Sequence, residues 1–337
     1  MSDIASLIQA LPDPALVIAQ DGRVAAMNEP AVILLRGDVT GWPYVTALRQ
    51  PAVLDAVAAC FEASDEGIVG YSSNDGARDT LWDVSVKRAG GSVVLSFRDT
   101  TALSDADEKR RDFVANVSHE LRTPLTSLMG FIDTLRGPAK EDPAAQDRFL
   151  SIMEQEAGRM HRLVEDLLSL SHVEDLERIR PTDTVDLTSL LSDVLAGLAP
   201  VADNTGVTLV QDCPEHAVKV LGDVHQLAQV LRNLVENAIK YGGSNKDVTV
   251  RLSGGEDGQG ARLRVIDQGP GIAAHHIARL TERFFRVDSH RNREKGGTGL
   301  GLAITKHIVT RHRARLRITS KLGQGSEFSV IFPNEAI

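Results

Sequence analysis

The sequence predicts a multidomain α+β protein: a small mixed α/β domain, then a long helical hairpin, then an α/β sandwich. Three observations carry this. A length of 337 residues corresponds to about two or three domains of ordinary size. Between residues 102 and 180 apolar side chains recur every three or four positions along two long stretches, which is the period of one helix face. On both sides of that region short β-patterned runs alternate with helical ones, as expected where helices cover sheets. With 42% hydrophobic and 25% charged residues, 28 Gly and 13 Pro, disordered and collagen-like chains are excluded.

In residues 1–101, apolar runs 15–19 and 23–27 flank Asp21-Gly22, a hairpin signal. Helical spacing follows over 30–35 and 53–61, then strands are expected over 81–86 and 92–97 about the Gly90-Gly91 turn. The plain alternative is a small α/β domain that only dimerises or spaces.

In residues 102–180, Phe113, Val117, Leu121, Leu125, Leu128, Ile132 and Leu135 form one stripe. Gly137-Pro138 ends that helix, and Asp142-Pro143 opens a second in N-cap then N1 order. Its stripe is Phe149, Ile152, Met160, Leu163, Leu167 and Leu170. One hairpin cannot bury both stripes, so a homodimeric four-helix bundle is expected.

Beyond Pro181, helices are expected over 187–199, 224–241 and 302–312, and strands over 207–211, 248–253, 261–267, 316–320 and 326–332. The formal charge of −9 is uneven. Residues 1–100 hold 7 basic against 13 acidic residues, 101–180 hold 11 against 16, and 181–337 hold 19 against 17. Within 279–321 there are twelve Lys/Arg and three Asp/Glu, a local basic surface that suits an anionic ligand. Cys60 and Cys213 stand far apart without a CxxC or His/Cys cluster, which argues against a disulfide framework, a zinc site or a redox thiol pair. No run of 18 apolar residues and no signal peptide is found, so a cytoplasmic chain is expected.

Of ten histidines, one has a distinctive context. His119 lies mid-helix in Ser118-His119-Glu120-Leu121-Arg122-Thr123-Pro124-Leu125, with Val117 and Leu121 on the seam, so its imidazole is expected in solvent. A neutral exposed imidazole is a nucleophile, and an adjacent carboxylate can take its proton. Pro124 removes the hydrogen bond to the Glu120 carbonyl and is expected to bend the helix there. On the helix 224–241, Asn233, Asn237, Lys240 and Tyr241 share one face, bringing two amide oxygens, a cation and a ring to one ligand. Such oxygens suit Mg²⁺ beside phosphates. Asp267-Gln268-Gly269-Pro270-Gly271-Ile272 follows a strand, and its glycines allow close backbone approach. Gly297-Thr298-Gly299-Leu300-Gly301-Leu302 precedes a helix. It is neither a Walker loop nor a dinucleotide GxGxxG, yet backbone N–H groups at a helix start can hold phosphates.

Together these segments resemble sensor histidine kinases: the first matches the H-box, residues 230–241 the N-box, 267–272 the G1 box, Glu282-Arg283-Phe284-Phe285-Arg286 the F-box and 297–302 the G2 box. The resemblance covers residues 102–337 closely and 1–101 more loosely, where it is to a PAS sensor domain through Leu11-Pro12-Asp13, Asn28 and Asp99-Thr100-Thr101. Its nearest look is to the phosphate-responsive PhoR-like members, judged by Leu11-Pro12-Asp13-Pro14, by the run 124–135 and by Lys306-His307-Ile308-Val309-Thr310-Arg311-His312. Ala314 stands where many relatives carry Gly.

The resemblance implies a PAS domain (1–101), a dimerisation and phosphotransfer domain (102–180) and a Bergerat-type ATP-binding domain (181–337). It implies His119 as phosphoacceptor, Glu120 as base and Thr123 as a phosphatase residue. It places ATP on Asn233, Asn237, Lys240, Tyr241, Asp267, Gly269, Gly271, Ile272, Phe285, Arg286, Gly297, Thr298, Gly299, Leu300 and Gly301. Mg²⁺ falls to Asn237 with Asn233, Lys240 meets phosphate, Tyr241 packs by the adenine, and Asp267 accepts its amino hydrogen. Arg286, Arg291 and Lys295 become lid cations. The implied partners are a second copy and a response regulator with a receiver domain, such as a DNA-binding transcription factor. The chain is then either cytosolic or the cytosolic part of an inner-membrane-anchored kinase.

Three rivals are weaker. A gyrase, Hsp90 or MutL-like ATPase would lack the His119 hairpin, and a degenerate scaffold would have lost ATP motifs that are intact here. Direct nucleic-acid binding is not expected, because the basic stretch lacks interleaved aromatics.

Overall fold

The computed structural model describes residues 2–63, 65–74, 79–243, 245–254, 260–287 and 297–334. By its contacts the chain divides into two compact units, residues 1–115 and 116–337.

The first unit contains α1 (Ser2–Gln9), β1 (Ala15–Ile18), β2 (Val24–Met27), α2 (Glu29–Leu34), α3 (Tyr44–Leu48), α4 (Pro51–Ala63), β3 (Gly67–Asn74), β4 (Asp79–Ala89) and β5 (Ser92–Asp99). The strands form one antiparallel sheet in the order β2-β1-β5-β4-β3. The Asp21-Gly22 hairpin is present, with Gly22 at a φ of 76° that a side chain would resist. Leu16, Ile18, Val57, Val84, Leu95 and Phe97 share the core.

Asn28 ties this unit together. It is wholly buried, and its Oδ1 accepts from Ala15 N at 2.9 Å and caps α2 through Ala31 N at 3.0 Å. Its Nδ2 donates to the carbonyls of Ile8, Leu11 and Asp13. At about 0.5–1.5 kcal/mol net per hydrogen bond, one side chain holds α1, β1 and α2 in register. The strand β3 was not among the expected elements. Its exposure alternates, but glycine and serine fill most of the positions where β-formers would announce a strand.

The hairpin consists of α5 (Thr101–Arg136) and α6 (Pro143–Leu176). Asp142 caps α6 as its Asp-Pro signal predicts, accepting from Ala145 N at 3.0 Å. In the second unit, Phe131 and Phe149 pack together at the turn end, with ring centroids 5.5 Å apart. On α6, Leu163, Leu170 and Val173 are buried. Leu125, Met129, Ile132, Leu150, Val164 and Leu168 remain exposed in the single chain, so part of the α5 stripe has no cover, and α6 exposes apolar side chains that lie outside its expected stripe.

The α/β part contains β6 (Thr184–Asp186), α7 (Leu187–Thr205), β7 (Thr208–Asp212), β8 (Lys219–Leu221), α8 (Val224–Tyr241), β9 (Asp247–Ser253), β10 (Arg262–Asp267), α9 (Ala274–Ile277), α10 (Gly301–Arg311), β11 (Arg315–Lys321) and β12 (Gly325–Ile331). The main sheet runs β11-β12-β10-β9-β7, antiparallel except where β7 pairs with β9. Helices α7, α8 and α10 contact it and bury Leu191, Leu231, Leu234 and Ile304. β6 and β8 form a separate two-stranded ribbon. One boundary differs from expectation: α7 continues through Pro200 to Thr205 and stops at Gly206, whose φ of 70° is left-handed.

Residues 116–176 of the hairpin and the sandwich belong to one compact unit, within which α6 contacts α10. Polar contacts border that seam. Thr298 donates to Asp166 Oδ2 at 2.6 Å, and the Ser169 hydroxyl and Gln229 amide are bonded to each other. Glu174 pairs with Arg283, and His307 stands between Glu177 at 2.7 Å and Glu174 at 3.3 Å. Arg311 Nε donates to the Ile179 carbonyl at 2.9 Å.

Candidate functional site

The N-box residues are placed by α8, which Asp223 caps by accepting from His225 N and Gln226 N. Asn233 Nδ2 donates to the Gly301 carbonyl at 3.0 Å, so this helix reaches the first residue of α10. That bond leaves Asn233 Oδ1 as the acceptor end of the amide. Asn237, one turn later, is half-buried. Lys240 Nζ lies 5.1 Å from the Tyr241 ring centroid. A β-carbon on Gly297 would come 2.5 Å from Lys240 Nζ and 3.6 Å from the Tyr241 hydroxyl, so Gly297 lies directly beside both side chains. Two motifs distant in sequence therefore meet at the start of α10.

Asp267 closes β10 and is 7% exposed. Its Oδ1 accepts from Gly269 N at 2.8 Å. Burial pushes its carboxyl up, while hydrogen bonds from Gly269 and Ser326 and the charge of Lys246 pull it back. A β-carbon on Gly269 would lie 2.5 Å from the Tyr241 carbonyl and 2.8 Å from Asp267 Oδ1. Gly271 has a φ of 71°, and Ile272 N donates to Ser320 Oγ at 2.8 Å. Burial likewise raises the Tyr241 hydroxyl, opposed by the nearby Arg286 charge.

In the G2 segment Thr298 bonds to Asp166, and its hydroxyl also accepts from Leu300 N at 3.3 Å. Gly299 lies against the F-box, its carbonyl accepting from Phe284 N at 2.9 Å. The N-cap Leu300 contributes no side-chain bond to α10, so the first amides of that helix gain no cap from it. Phe285 faces another way: its ring meets His276 at 5.8 Å and lies under the Arg279 guanidinium at 4.3 Å. Arg291 and Lys295 lie outside the described residues. A concavity of about 350 Å³ between α9, α10 and β11 is lined by Ile277, Lys306, Val309, Arg315 and neighbours; none of the motif residues line it.

On the hairpin, His119 is exposed on α5. Glu120 pairs with Arg159 of α6 at 3.0 Å. The Thr123 hydroxyl donates to the His119 carbonyl at 3.2 Å, whereas the carbonyl that Pro124 leaves without its helical donor is that of Glu120. Thr123 therefore satisfies a backbone group, but not the one freed by the proline.

Sequence reasoning missed several residues here. Lys246 donates to the Gln268 carbonyl at 2.6 Å, next to Asp267. Asp166 and Gln229 are joined to their partners only by the fold. His312, 1% exposed, accepts from Asp223 N at 3.0 Å through Nε2 and donates through Nδ1 to the Ile308 carbonyl at 2.7 Å. It thereby fixes the residue that caps α8.

Residues 109–176 match the family model described as the His Kinase A (phospho-acceptor) domain, and residues 222–336 match that of the histidine kinase-, DNA gyrase B- and HSP90-like ATPases. The chain is 41% identical over 239 residues to the phosphate regulon sensor protein PhoR of Pseudomonas aeruginosa, covering 71% of this chain and 53% of that protein. It is 31% identical over 340 residues to the sensor protein kinase WalK of Staphylococcus aureus, covering 98% of this chain and 81% of the relative. Against SenX3 of Mycolicibacterium smegmatis the identity is 38%, over 72% of this chain and 62% of the relative. The chain thus spans little more than half the length of several curated relatives. Among solved structures, the Acinetobacter baumannii histidine kinase AdeS is 27% identical with a TM-score of 0.50, over 65% of this chain and 98% of that one. The histidine kinase ThkA, crystallised with response regulator TrrA, shares the fold over 98% of both chains at a TM-score of 0.54 and 22% identity.

The geometry of His312 makes a prediction about acid stability. Burial first, then the Arg311 charge, hold its imidazole below the ordinary 6.5, against the Ile308 hydrogen bond and Asp223. The unfolded chain then binds a proton that the folded chain refuses. This contribution is fully present above about 6.5 and is lost as pH falls below that value and through the lower value of the folded protein. Asp267 and Asp166, raised by burial, act in the opposite sense over the carboxylate range. Denaturant melts at pH 7.5 and 5.5 should show a smaller acid loss in His312→Gln than in the unaltered protein; equal losses would remove His312 from the account.

Proposed function

The chain belongs to the sensor histidine kinase family, and from that membership we propose that it transfers the γ-phosphoryl group of Mg-ATP to His119 and then to an aspartate of a response-regulator receiver domain. One observation supports the ATP site above the others: Asn233 bonded to Gly301, Lys240 and Tyr241 against Gly297, and Tyr241 and Asp267 against Gly269. These contacts bring the N-box against both the G1 and the G2 segment. Asp267 accepts from the adenine, Tyr241 packs beside it, and the amides at the start of α10 with Lys240 meet the phosphates. An imidazole nitrogen of His119 attacks the γ-phosphorus, ADP leaves, and Glu120 takes the ring proton after leaving Arg159.

The donor set suits a magnesium ion. Among the described residues no group of three or more His, Cys, Asp or Glu could cage a metal. Amide oxygens of Asn237 and Asn233 completed by phosphate and water match the habit of Mg²⁺. When bound, that ion neutralises and bridges phosphate charge.

Residues 1–101 read best as a PAS-type sensor domain, supported by the five-stranded antiparallel sheet, residues 102–180 as the dimerisation and phosphotransfer domain, and 181–337 as the ATP-binding domain. Among the described residues no helix is long and apolar enough to cross a membrane. The apolar side chains left exposed on the hairpin, Leu168 at 67% among them, support a homodimer. Light scattering at micromolar concentration should return twice the chain mass; a monomer mass would overturn this.

Incubation with γ-labelled Mg-ATP should label the protein with an acid-labile, alkali-stable bond, as a phosphoramidate behaves. His119→Ala should take up none, and label in that variant refutes the assignment. For the reverse reaction, Thr123 is four residues from His119, on the same face, and its hydroxyl can exchange the His119 carbonyl for a water attacking the phosphorylated regulator. Thr123→Ala should retain most autophosphorylation while regulator dephosphorylation falls by about ten-fold or more. Parallel loss of both activities would make Thr123 structural.

A further inference from the structure

The glycine loop 297–301 is held by a group from outside its own layer. The Thr298 hydroxyl donates to Asp166 Oδ2 of α6 at 2.6 Å and accepts from Leu300 N at 3.3 Å. One side chain thus links a carboxylate to the start of α10, the positive end of a helix where an anion is favoured. Asp166 is half-buried. Burial pushes its carboxyl up, and the Thr298 hydrogen bond and the Arg162 charge pull it down, against Glu165. Asp166 stands one hydrogen bond from the segment that meets phosphate in the reading above, on which this inference rests.

From this juxtaposition we infer that Asp166 is a positioning residue that competes with nucleotide phosphate for the 297–301 loop. Bonded to Thr298, it keeps the loop against α6 and sets a negative charge beside the phosphate subsite. Phosphate entering the loop meets that charge, so nucleotide binding and the docking of α6 oppose each other. The seam carries the effect further, since the Ser169–Gln229 and Glu174–Arg283 contacts belong to the same docked face. The opposition acts on charge, so it weakens ATP and leaves adenosine untouched.

Calorimetric titration of the intact protein with Mg-ATP and with adenosine tests this. Asp166→Asn should bind ATP about five- to ten-fold more tightly, the scale of one partly screened charge, with adenosine affinity unchanged and Asp166→Glu close to the unaltered protein. Unchanged or weaker ATP binding in Asp166→Asn, or an equal gain for adenosine, overturns the inference. A second route does not depend on that variant folding: Ser169→Cys with Gln229→Cys, oxidised to lock the seam, should lower ATP affinity reversibly and spare adenosine. An unaltered ATP affinity with the disulfide formed would equally sink it. Asp267→Asn separates the two readings, since it should weaken both ligands by about ten-fold or more. If it weakens neither, the nucleotide site itself is misassigned.

Discussion

A carboxylate held in the interior with backbone against it is the constraint on which the α/β part depends. Asp267 is 7% exposed, and a β-carbon on Gly325 would come 2.0 Å from its carbonyl oxygen and one on Gly242 would come 3.4 Å from its β-carbon. Burying an ionised group costs several kcal/mol unless hydrogen bonds replace water. Gly269 and Ser326 supply part of that replacement, and the carboxyl is still raised. For stability alone an apolar side chain would serve better at the end of β10. A partly compensated acid surrounded by glycines suits an acceptor for a bound ligand, the role given to Asp267 in the proposed reading. The adenine reading of Asp267 is thus supported by energetics as well as by motif.

The second organising contact is the seam between α6 and the ATP-binding layer. On α6 itself three apolar side chains, Leu163, Leu170 and Val173, are buried, at about 1.5–3 kcal/mol for each fully buried side chain. The polar part of the seam consists of partly exposed pairs. The side chains of Glu174 and Arg283 are 31% and 34% exposed, and pairs of that kind contribute little net stability. Such a seam holds one arrangement without making it permanent. That fits the proposed reading, in which His119 and the nucleotide site lie on different elements and must meet for reaction, because a dry seam of full core size would forbid the movement.

The parts of the fold that were legible in the sequence are those whose information is local. The stripes of α5 and α6, the Asp-Pro start of α6 and the Asp-Gly hairpin each express a periodicity or a cap within a few residues. β3 was missed because glycine and serine dilute its pattern, and β6 and β8 because three-residue strands carry no period. The motif residues were legible as a set, and the structure brings Asn233, Lys240, Tyr241, Asp267 and the glycines together. Asp166, Lys246 and His312 were not legible, since each gains its role from a partner 132, 22 or 89 residues away. Phe285 shows the converse limit: a motif locates it in the chain, but packing turned its ring toward His276 and Arg279.

The surroundings of His119 place this structure in a resting arrangement of the hairpin. A general base acts only within hydrogen-bond reach of the proton it removes, and the Glu120 carboxylate is engaged by Arg159 across the hairpin. The Thr123 hydroxyl is likewise engaged, by the carbonyl of His119 itself. Both groups are partly or fully exposed, so releasing either needs a rotamer change and the loss of a weak contact, at about 1 kcal/mol each. The nucleophile is therefore presented while its two helpers are parked within one or two turns of helix. In the proposed reading, freeing Glu120 serves the receipt of phosphate and freeing Thr123 its removal; a displacement of α5 against α6 acts on the first alone, because Glu120 is held by Arg159 across the hairpin whereas Thr123 is held within α5.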